Sequence, residues 1–272
     1  MKIIRQKKDL YKQINKINSI SFIPTMGGLH KGHEILIKRA KRKNKNTLVS
    51  IFVNPKQFNS KNDFLSYPRN FKKDVRILKK LKVKYLYCPT YNDIFSFKTK
   101  NKIYLHSFSK KLCGKFRPGH FRGVLDVVNR FIEILKPKYI ALGKKDFQQL
   151  TLIKKHIKKN NIKSIIVSCE TLRDRNLLPY SSRNFNLNKY DKFLASKAFS
   201  LIKKEKRKIK SLKLKKINFL KIKKNILSMG IRKIDYIEAI NLNNLKKAKK
   251  YNENFNIFSA FYIGNIRLID NF

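Results

Sequence analysis

The sequence is poor in the residues that build disulfide frameworks and metal centres. It contains no tryptophan, three cysteines and five histidines among 272 residues. The cysteines, Cys88, Cys113 and Cys169, are far apart and form no C-x-x-C pair, which argues against a zinc site and favours a reducing compartment. No stretch approaches 18 uninterrupted apolar residues, and residues 1–8 lack the apolar core of a signal peptide. We therefore expect a cytoplasmic protein that does not span a membrane.

Acidic residues are also scarce. The chain has 16 Asp and Glu against 66 Lys and Arg, a formal net charge of +50. A charge of this size raises nucleic acids and anionic membranes as partners. The lysines, however, occur in almost every segment, and no RNA-binding aromatic motif, zinc finger or basic zipper accompanies them. We interpret the charge as a chain-wide drift in composition, with nonspecific binding to polyanions at low salt.

A glycine-rich turn lies near the N-terminus. Residues 19–23 read as a short apolar strand, residues 24–33 have the sequence PTMGGLHKGH, and residues 34–42 follow a helical pattern. Glycines at positions 27, 28 and 32 let the backbone approach a ligand, and the helix start offers N–H groups and the positive end of a dipole. This strand, turn and helix together predict a site for nucleotide phosphates.

Two histidines, His30 and His33, lie on one face of the first helical turn. Imidazoles there can donate hydrogen bonds to phosphate oxygens as charge moves onto pyrophosphate. The H-x-G-H pattern resembles the motif of class I aminoacyl-tRNA synthetases and small nucleotidyltransferases. The alternatives are a pair of structural histidines or half of a zinc site. The other histidines, His106, His120 and His156, have no metal-ligand spacing that would favour zinc.

Strand and helix patterns alternate through the N-terminal part of the chain. This alternation predicts a parallel sheet covered by helices, in which ligands bind beyond the carboxyl ends of the strands. Polar clusters follow two of the strands, at residues 54–58 (NPKQF) and 143–149 (GKKDFQQ). The predicted strands are residues 19–23, 47–53, 84–88, 139–142 and 164–169, and the predicted helices are residues 34–42, 71–81, 123–135 and 147–159.

The composition changes after Arg183, where lysine-rich helical patterns begin. We predict a second domain, with residues 1–173 in the first domain and 174–272 in the second. Residues 235–240, 258–263 and 266–270 read as strands. The basic run of residues 203–224 fits either an RNA- or membrane-binding helix or a solvated helix face over a small core, and we favour the solvated face.

Eight motifs, taken in their order along the chain, resemble the pantothenate synthetase family, the pantoate:β-alanine ligases. Besides residues 24–33, they are residues 50–58 (SIFVNPKQF), 67–69 (YPR), 117–123 (RPGHFRG), 143–149 (GKKDFQQ), 181–184 (SSRN), 235–238 (DYIE) and 267–271 (RLIDN). The resemblance extends from residue 1 to about residue 270. It implies an α/β fold with a Rossmann-like parallel-sheet domain of the H-x-G-H nucleotidyltransferase type, which binds ATP and pantoate, and a smaller α+β C-terminal lid domain.

The resemblance also implies an ATP-dependent, Mg²⁺-assisted ligation in two steps. The pantoate carboxylate attacks the α-phosphorus of ATP and releases pyrophosphate, and the amine of β-alanine then attacks the pantoyl adenylate to give pantothenate and AMP. Such chemistry needs positioning and charge stabilisation rather than an enzyme nucleophile. The implied partners are the small-molecule substrates and a second copy in a homodimer, with no specific nucleic acid and no membrane.

The family motifs assign catalytic roles to His30, His33 and Lys145, with His33 as proton donor and Lys145 as a point charge on the phosphates. Asp146 would hydrogen-bond the nucleotide sugar or hold Lys145. Leu172 and Tyr180 would lie near adenine, and Ser181, Ser182 and Arg183 would close over the phosphates, although Ser181 and Ser182 could instead cap a helix. The full implied ATP-binding set is Met26, Gly27, Gly28, Leu29, His30, Lys31, Gly32, His33, Gly143, Lys144, Lys145, Asp146, Leu172, Tyr180, Ser181, Ser182 and Arg183.

The same resemblance makes Gln57 and Gln149 the residues that bind pantoate and β-alanine, because an amide offers both a donor and an acceptor. It makes Asp74 a magnesium ligand, with Lys73 standing where the family can have an acidic residue. Magnesium held chiefly by ATP is the alternative.

Two further motifs carry open questions. Arg117 and Arg122 either clamp phosphate or stabilise a loop. Residues 177–180 (LLPY) depart from the small glycine-leucine-alanine run of the family. Pro179 removes a backbone donor from that run, which affects the hinge and the adenine side.

Two other functions remain open from the sequence. A nucleotidyltransferase of the same fold would transfer AMP or CMP to a phosphate-containing acceptor and would lack the pantoate glutamines. A basic nucleic-acid-binding protein without catalysis would bind RNA tightly and in a salt-sensitive manner, and a change at His33 would not affect it.

Overall fold

The computed structural model describes residues 1–214 and 217–272 and divides the chain into two compact units. The N-terminal unit consists of Met1–Lys110 and Arg117–Leu172, and the C-terminal unit consists of Lys111–Phe116 and Arg173–Phe272. The boundary after Leu172 lies next to the one predicted after residue 173. The hydrophobic pattern did not indicate that Lys111–Phe116 belongs with the C-terminal unit, because six residues are too few to carry a period.

The N-terminal unit is built on a six-stranded parallel sheet. Its strands are β1 (Lys2–Ile4), β2 (Ser21–Thr25), β3 (Thr47–Ile51), β4 (Tyr85–Tyr87), β5 (Tyr139–Gly143) and β6 (Ile165–Cys169). They lie in the order β1-β4-β3-β2-β5-β6, and every pair is parallel. The predicted Rossmann-like α/β class is therefore confirmed. The sequence prediction missed β1, a short edge strand without a distinct apolar run.

Helices connect and cover these strands. They are α1 (Lys7–Ile14), α2 (Lys31–Lys43), α3 (Lys61–Leu65), α4 (Phe71–Lys80), α5 (Tyr91–Phe95), α7 (His120–Leu135) and α8 (Phe147–Lys159), and α6 (Cys113–Phe116) belongs to the other unit. Short 3₁₀ turns lie at Pro55–Gln57, Ser107–Lys110 and Lys144–Asp146. The predicted helix 147–159 has the bounds of α8, and the helix predicted at 123–135 begins earlier, at His120.

The packing of α2 shows how the core positions the site. Ile37 and Ala40 lie on its inner face and are fully buried in one cluster with Ile23 and Val49 of the sheet. Burial of each large aliphatic side chain contributes about 1.5–3 kcal/mol. Lys31, Lys38 and Lys43 of α2 are exposed, and the half-buried Lys41 donates to the Leu81 carbonyl. The helix is thus fixed against the sheet, and its first residues lie at the end of β2.

The C-terminal unit contains a three-stranded antiparallel sheet. Its elements are β7 (Lys233–Asn241), β8 (Phe255–Ile263), β9 (Ile266–Asn271), α9 (Lys189–Ser211), α10 (Leu220–Leu227) and the 3₁₀ turn Ser182–Asn186. The strands lie in the order β7-β8-β9. Phe199 of α9 and Phe261 of β8 are fully buried, with ring centroids 4.9 Å apart. Arg267 Nε donates to Asp235 Oδ2 at 2.8 Å, so the motifs at 235–238 and 267–271 join the two outer strands.

The basic run of residues 203–224 is not a single helix. It includes the end of α9 at Ser211 and the start of α10 at Leu220, while its residues 215 and 216 lie outside the described residues. Ile209 and Ile222 are buried in the core of the unit. This burial is expected if the basic run is a solvated helix face over a small core. Across the described ranges, no helix is long and apolar enough to cross a membrane.

Candidate active site

The order of the strands brings three loops to one edge of the parallel sheet. β2 pairs with β3 on one side and with β5 on the other, so the direction of winding reverses at β2. Such a switch point leaves a crevice at the carboxyl ends of the strands. The turn after β2 leads to His30 and His33, the segment after β3 carries Gln57, and the turn after β5 carries Lys145.

A buried carboxylate holds the glycine turn. Asp74, in the first turn of α4, accepts hydrogen bonds from the Gly28 N–H at 2.9 Å and the Leu29 N–H at 2.7 Å. Gly27 has a φ of +78°, and a Cβ at this position would lie 3.0 Å from Asp74 Oδ2. The turn therefore requires glycine both for its left-handed backbone and for this close approach.

These contacts differ from those of a metal ligand. Asp74 is 1% exposed, and burial raises the pKa of its carboxyl, while the Leu29 and Gly28 N–H groups and Lys73 act in the opposite direction. Within residues 1–214 and 217–272, no group of three or more His, Cys, Asp or Glu side chains is arranged to hold a metal ion. The donor set therefore disfavours the prediction of Asp74 as a magnesium ligand and makes this residue a support for the turn.

The two histidines cap the helix that they begin. His30 Nδ1 accepts a hydrogen bond from the Gly32 N–H at 3.1 Å, and His33 Nδ1 accepts one from the His30 N–H at 3.3 Å. The ring centroids are 4.0 Å apart. A neutral imidazole that accepts at Nδ1 carries its proton on Nε2. The N-terminus of α2 thus fixes both histidines in the same tautomer, so their structural role and a functional role are compatible.

Both histidines are neutral at pH 7. Burial, followed by His33 and Lys145, lowers the pKa of His30 to about 2. Burial also lowers the pKa of His33 to about 4, with Asp146 acting against this change and Lys145 in favour of it. The 3₁₀ turn Lys144–Asp146 is therefore close enough to act electrostatically on both rings.

The charge beside the histidines comes from Lys145. Lys145 Nζ lies 3.3 Å from Asp146 Oδ1, and the Lys145 side chain is mostly buried. Of the two roles left open for Asp146, holding Lys145 is thus supported by a contact. Together, Lys145, His30 and His33 form one cation beside two neutral N–H donors, an arrangement suited to an anion that gains charge during a reaction.

Gln57 lies beside the glycine turn, at the end of the 3₁₀ turn Pro55–Gln57. Its Nε2 is 2.8 Å from Met26 Sδ, and its Oε1 accepts from Asn54 Nδ2 at 3.3 Å. A cavity of about 220 Å³ opens on the glycine turn. It is lined by ten residues, among them Met26, Gly27, Arg69 and Asp74. This volume suits a small organic acid better than a whole nucleotide.

The second predicted glutamine, Gln149, is half-buried in the first turn of α8. Its neighbour Gln148 has a structural role, because it is 5% exposed and its Nε2 donates to the Phe108 carbonyl at 2.7 Å. Gly143 is the last residue of β5, Lys144 begins the 3₁₀ turn that follows, and Lys144 Nζ pairs with Glu170. The role of Gln149 toward a substrate remains a prediction.

Three functional candidates were missed or left open by the sequence. Arg117 Nη2 and His120 Nδ1 both contact the backbone carbonyl of Gln57, at 3.1 and 2.7 Å. Asn54 is 1% exposed and contacts the Gln57 side chain. Of the two alternatives for Arg117, a phosphate clamp or a stabilised loop, this contact supports the stabilised loop. The only signal for His120 was its place in the motif of residues 117–123.

The remaining predicted residues lie in the C-terminal unit or at its edge. Ser181 Oγ accepts from the Arg183 N–H at 3.4 Å and caps the 3₁₀ turn Ser182–Asn186, as the capping alternative predicts. Leu177 has a φ of +69°, the left-handed region that favours glycine. Roles of Ser181, Ser182, Arg183, Tyr180 and Leu172 toward ATP remain predictions.

Comparisons with known proteins agree over the whole chain. The family model described as pantoate-beta-alanine ligase matches residues 2–272. The chain is 40% identical to a pantothenate synthetase of Francisella philomiragia, covering 100% of this chain and 95% of that protein. It is 39% identical to one of Clostridium botulinum, covering 100% and 99%.

Solved structures show the same relationship. A pantoate-beta-alanine ligase from Francisella tularensis, in complex with beta-gamma ATP and beta-alanine, superimposes with a TM-score of 0.85 at 39% identity, covering 100% of this chain and 97% of that one. Pantothenate synthetase from Thermus thermophilus gives a TM-score of 0.89 at 25% identity, covering 100% and 99%.

Proposed function

Because the chain belongs to the pantoate-β-alanine ligase family and is a carbon–nitrogen ligase that condenses pantoate with β-alanine at the expense of ATP, we propose that it does so through a pantoyl adenylate. A pantoate carboxylate oxygen bonds to the α-phosphorus of ATP, and the bond to the bridging oxygen of pyrophosphate breaks. The β-alanine amine then attacks the acyl carbon, AMP leaves, and the amine loses a proton.

The observation that carries this proposal is the fixed tautomer of the two histidines. In the first step, negative charge moves onto the departing pyrophosphate. His30 and His33 have Nδ1 occupied by backbone N–H groups, so each presents an Nε2–H donor. Preorganised donors of this kind stabilise developing charge without reorganisation during the reaction, and one of them contributes about 10²–10³ in rate.

Lys145 supplies the positive charge on the phosphates, and Asp146 restrains its ammonium group. Gly27, Gly28 and Leu29 form the turn that faces the phosphates, with their backbone arranged by Asp74. Because the pKa of His33 is lowered to about 4, this ring acts at pH 7 as a neutral hydrogen-bond donor, not as a cation.

Gln57 and Gln149 would bind pantoate. The contact between Gln57 and Met26 supports this role because it places a neutral amide next to the phosphate-binding turn. An amide can pair with a hydroxyl and a carboxylate without competing for the phosphate charge.

ATP-using ligases of this family generally use a divalent metal, and we propose Mg²⁺. The residues present do not form a protein cage for it, because both Asp74 oxygens accept backbone hydrogen bonds and no ligand cluster occurs in the described ranges. Magnesium would therefore arrive with the phosphates of ATP, as it commonly does.

A homodimer in the cytoplasm completes the proposal. The support for the cytoplasm is that Cys88, Cys113 and Cys169 are not joined by disulfides, which fits a reducing compartment. The homodimer is supported by the family alone.

The adenylate is tested by exchange of labelled pyrophosphate into ATP with β-alanine left out. We expect exchange that requires pantoate and magnesium, and release of pantothenate and AMP once β-alanine is added. Pantothenate formation without pantoate-dependent exchange would contradict the adenylate. Absence of pyrophosphate release under every condition would contradict the ligase assignment itself.

A further inference from the structure

A connected group of hydrogen bonds at the start of α7 reaches the backbone of Gln57. Arg117 Nη2 donates to the Gln57 carbonyl at 3.1 Å, and His120 Nδ1 lies 2.7 Å from the same oxygen. Arg117 Nη1 lies 3.3 Å from His120 Nε2. Because a guanidinium can only donate, His120 Nε2 accepts, and the ring proton on Nδ1 is donated to Gln57. One carbonyl therefore receives two donors that are also linked to each other.

Gly123 allows α7 to approach this loop. A Cβ on Gly123 would lie 2.2 Å from the Lys56 carbonyl oxygen and 3.0 Å from the Gln57 nitrogen. Any larger residue would displace the turn that carries Gln57. The Gly123 carbonyl accepts from Asn54 Nδ2 at 3.1 Å, and that amide group is also 3.3 Å from Gln57 Oε1. The main chain and the side chain of Gln57 are thus both tied to the start of α7.

We propose that Arg117, His120 and Gly123 form a clamp, the Gln57 clamp, that sets the affinity for pantoate by positioning the Gln57 amide. This inference rests on the proposed function, because it takes Gln57 as a pantoate contact. The three residues are positioning residues that act through Gln57. A flexible side chain loses rotamer freedom when it binds a ligand, and a loop fixed beforehand lowers that cost. The clamp therefore controls pantoate binding and leaves ATP binding to the glycine turn.

The test compares His120→Ala with His120→Asn. Alanine removes the donor to the Gln57 carbonyl, whereas the asparagine Nδ2 retains a donor close to the position of the histidine Nδ1. Loss of one such hydrogen bond predicts about a tenfold higher KM for pantoate with His120→Ala. We expect the KM for ATP to change by less than about twofold and His120→Asn to recover most of the pantoate affinity.

A double-mutant cycle separates positioning from general destabilisation. If His120 acts through Gln57, His120→Ala adds less than about twofold to the pantoate KM once Gln57→Ala is present. If the double variant instead raises the pantoate KM by the product of the two separate increases, the clamp proposal is overturned. His106→Ala is the matched control, because His106 Nδ1 accepts from the Phe108 N–H at 3.1 Å and His106 lies outside the motif of residues 117–123. It should leave the KM for pantoate and the KM for ATP at the wild-type values.

The remaining outcomes are also decisive. Wild-type enzyme without pantoate-dependent pyrophosphate release would contradict the proposed function. Active wild-type enzyme in which His120→Ala raises both KM values equally, or in which asparagine rescues nothing, would contradict only the clamp. If thermal melting shows that His120→Ala is unfolded at the assay temperature, Arg117→Lys replaces it. That variant keeps one donor, so a smaller rise in the pantoate KM is expected, and an unchanged value would overturn the clamp.

Discussion

The two sides of the site are held in different ways. His30 and His33 are oriented by backbone N–H groups within the first turn of their own helix, whereas Gln57 is oriented by Arg117 and His120, which lie 60 and 63 residues further along the chain. The histidine pair is therefore held locally, whereas the glycine turn before it depends on Asp74 and the Gln57 loop depends on α7, so both of these rest on tertiary packing. Changes on the two sides should affect different kinetic constants, and four predictions test this difference.

The largest effect is expected from His33→Ala. It removes one preorganised donor, so we expect adenylate formation to slow by about 10²–10³. Lys145→Ala should have a similar effect, because it removes the positive charge beside the histidines. Single-turnover measurement of pyrophosphate release checks both variants. Lys154→Ala, an exposed lysine on α8, is the control for Lys145, and near-normal rates in the two site variants would contradict the assignment.

The next effect is expected from Asp74→Asn. The amide keeps one acceptor but turns an N–H donor toward the backbone donors of Gly28 and Leu29. We expect kcat/KM for ATP to fall about 10- to 100-fold and the free energy of unfolding to fall by about 2 kcal/mol. Urea unfolding and ATP kinetics at several magnesium concentrations measure this. A defect that disappears at high magnesium would instead make Asp74 a metal ligand.

A smaller and more selective effect is expected from Gln57→Ala. The loss of a neutral amide should raise the KM for pantoate about tenfold. The KM for ATP should stay within about twofold of the wild-type value, because the glycine turn keeps its own support from Asp74. Steady-state kinetics with each substrate varied in turn is the measurement. An equal loss of ATP affinity would show that the two sides of the site are not separable.

The smallest effect concerns pH. Burial lowers the pKa of His30 to about 2 and that of His33 to about 4, below the ordinary value of about 6.5 that an unfolded chain would show. Between about pH 6.5 and 4, the unfolded state therefore binds more protons, and stability falls as the pH is lowered. We expect a loss on the order of 1 kcal/mol per histidine. Urea titrations at pH 7 and pH 5 should show that the free energy of unfolding depends less on pH in His33→Asn than in the wild-type protein. An equal dependence on pH would contradict the lowered pKa.

The sequence was most informative where structure is local. The strands and helices of the parallel sheet follow from apolar patterns such as residues 47–53 and 147–159, and the turn with His30 and His33 follows from glycine spacing. The short edge strand Lys2–Ile4 was missed because three residues show no period. The assignment of Lys111–Phe116 to the C-terminal unit was missed for the same reason.

The sequence was least informative where residues act over a distance. The resemblance to the family implied Asp74 as a magnesium ligand, with magnesium held chiefly by ATP as the alternative. The structure shows that it accepts N–H groups from the turn 45 and 46 residues earlier. Likewise, nothing local in residues 117–123 indicates that His120 faces the Gln57 carbonyl. Such pairings depend on how α4 and α7 pack against the sheet, and a linear pattern does not contain that information.

The reciprocal cap of His30 and His33 also limits which inhibitors could bind this turn. Both Nδ1 atoms accept from the backbone, so the only polar hydrogen that either neutral ring carries is the one on Nε2, and a compound that binds to these rings must bring acceptors such as a sulfonyl or phosphonate oxygen. A cationic or donor-rich fragment would be repelled by the same atoms and by Lys145. A chelating group would also fail to displace the cap without unwinding the start of α2. Selectivity for this turn is thus a matter of acceptor geometry.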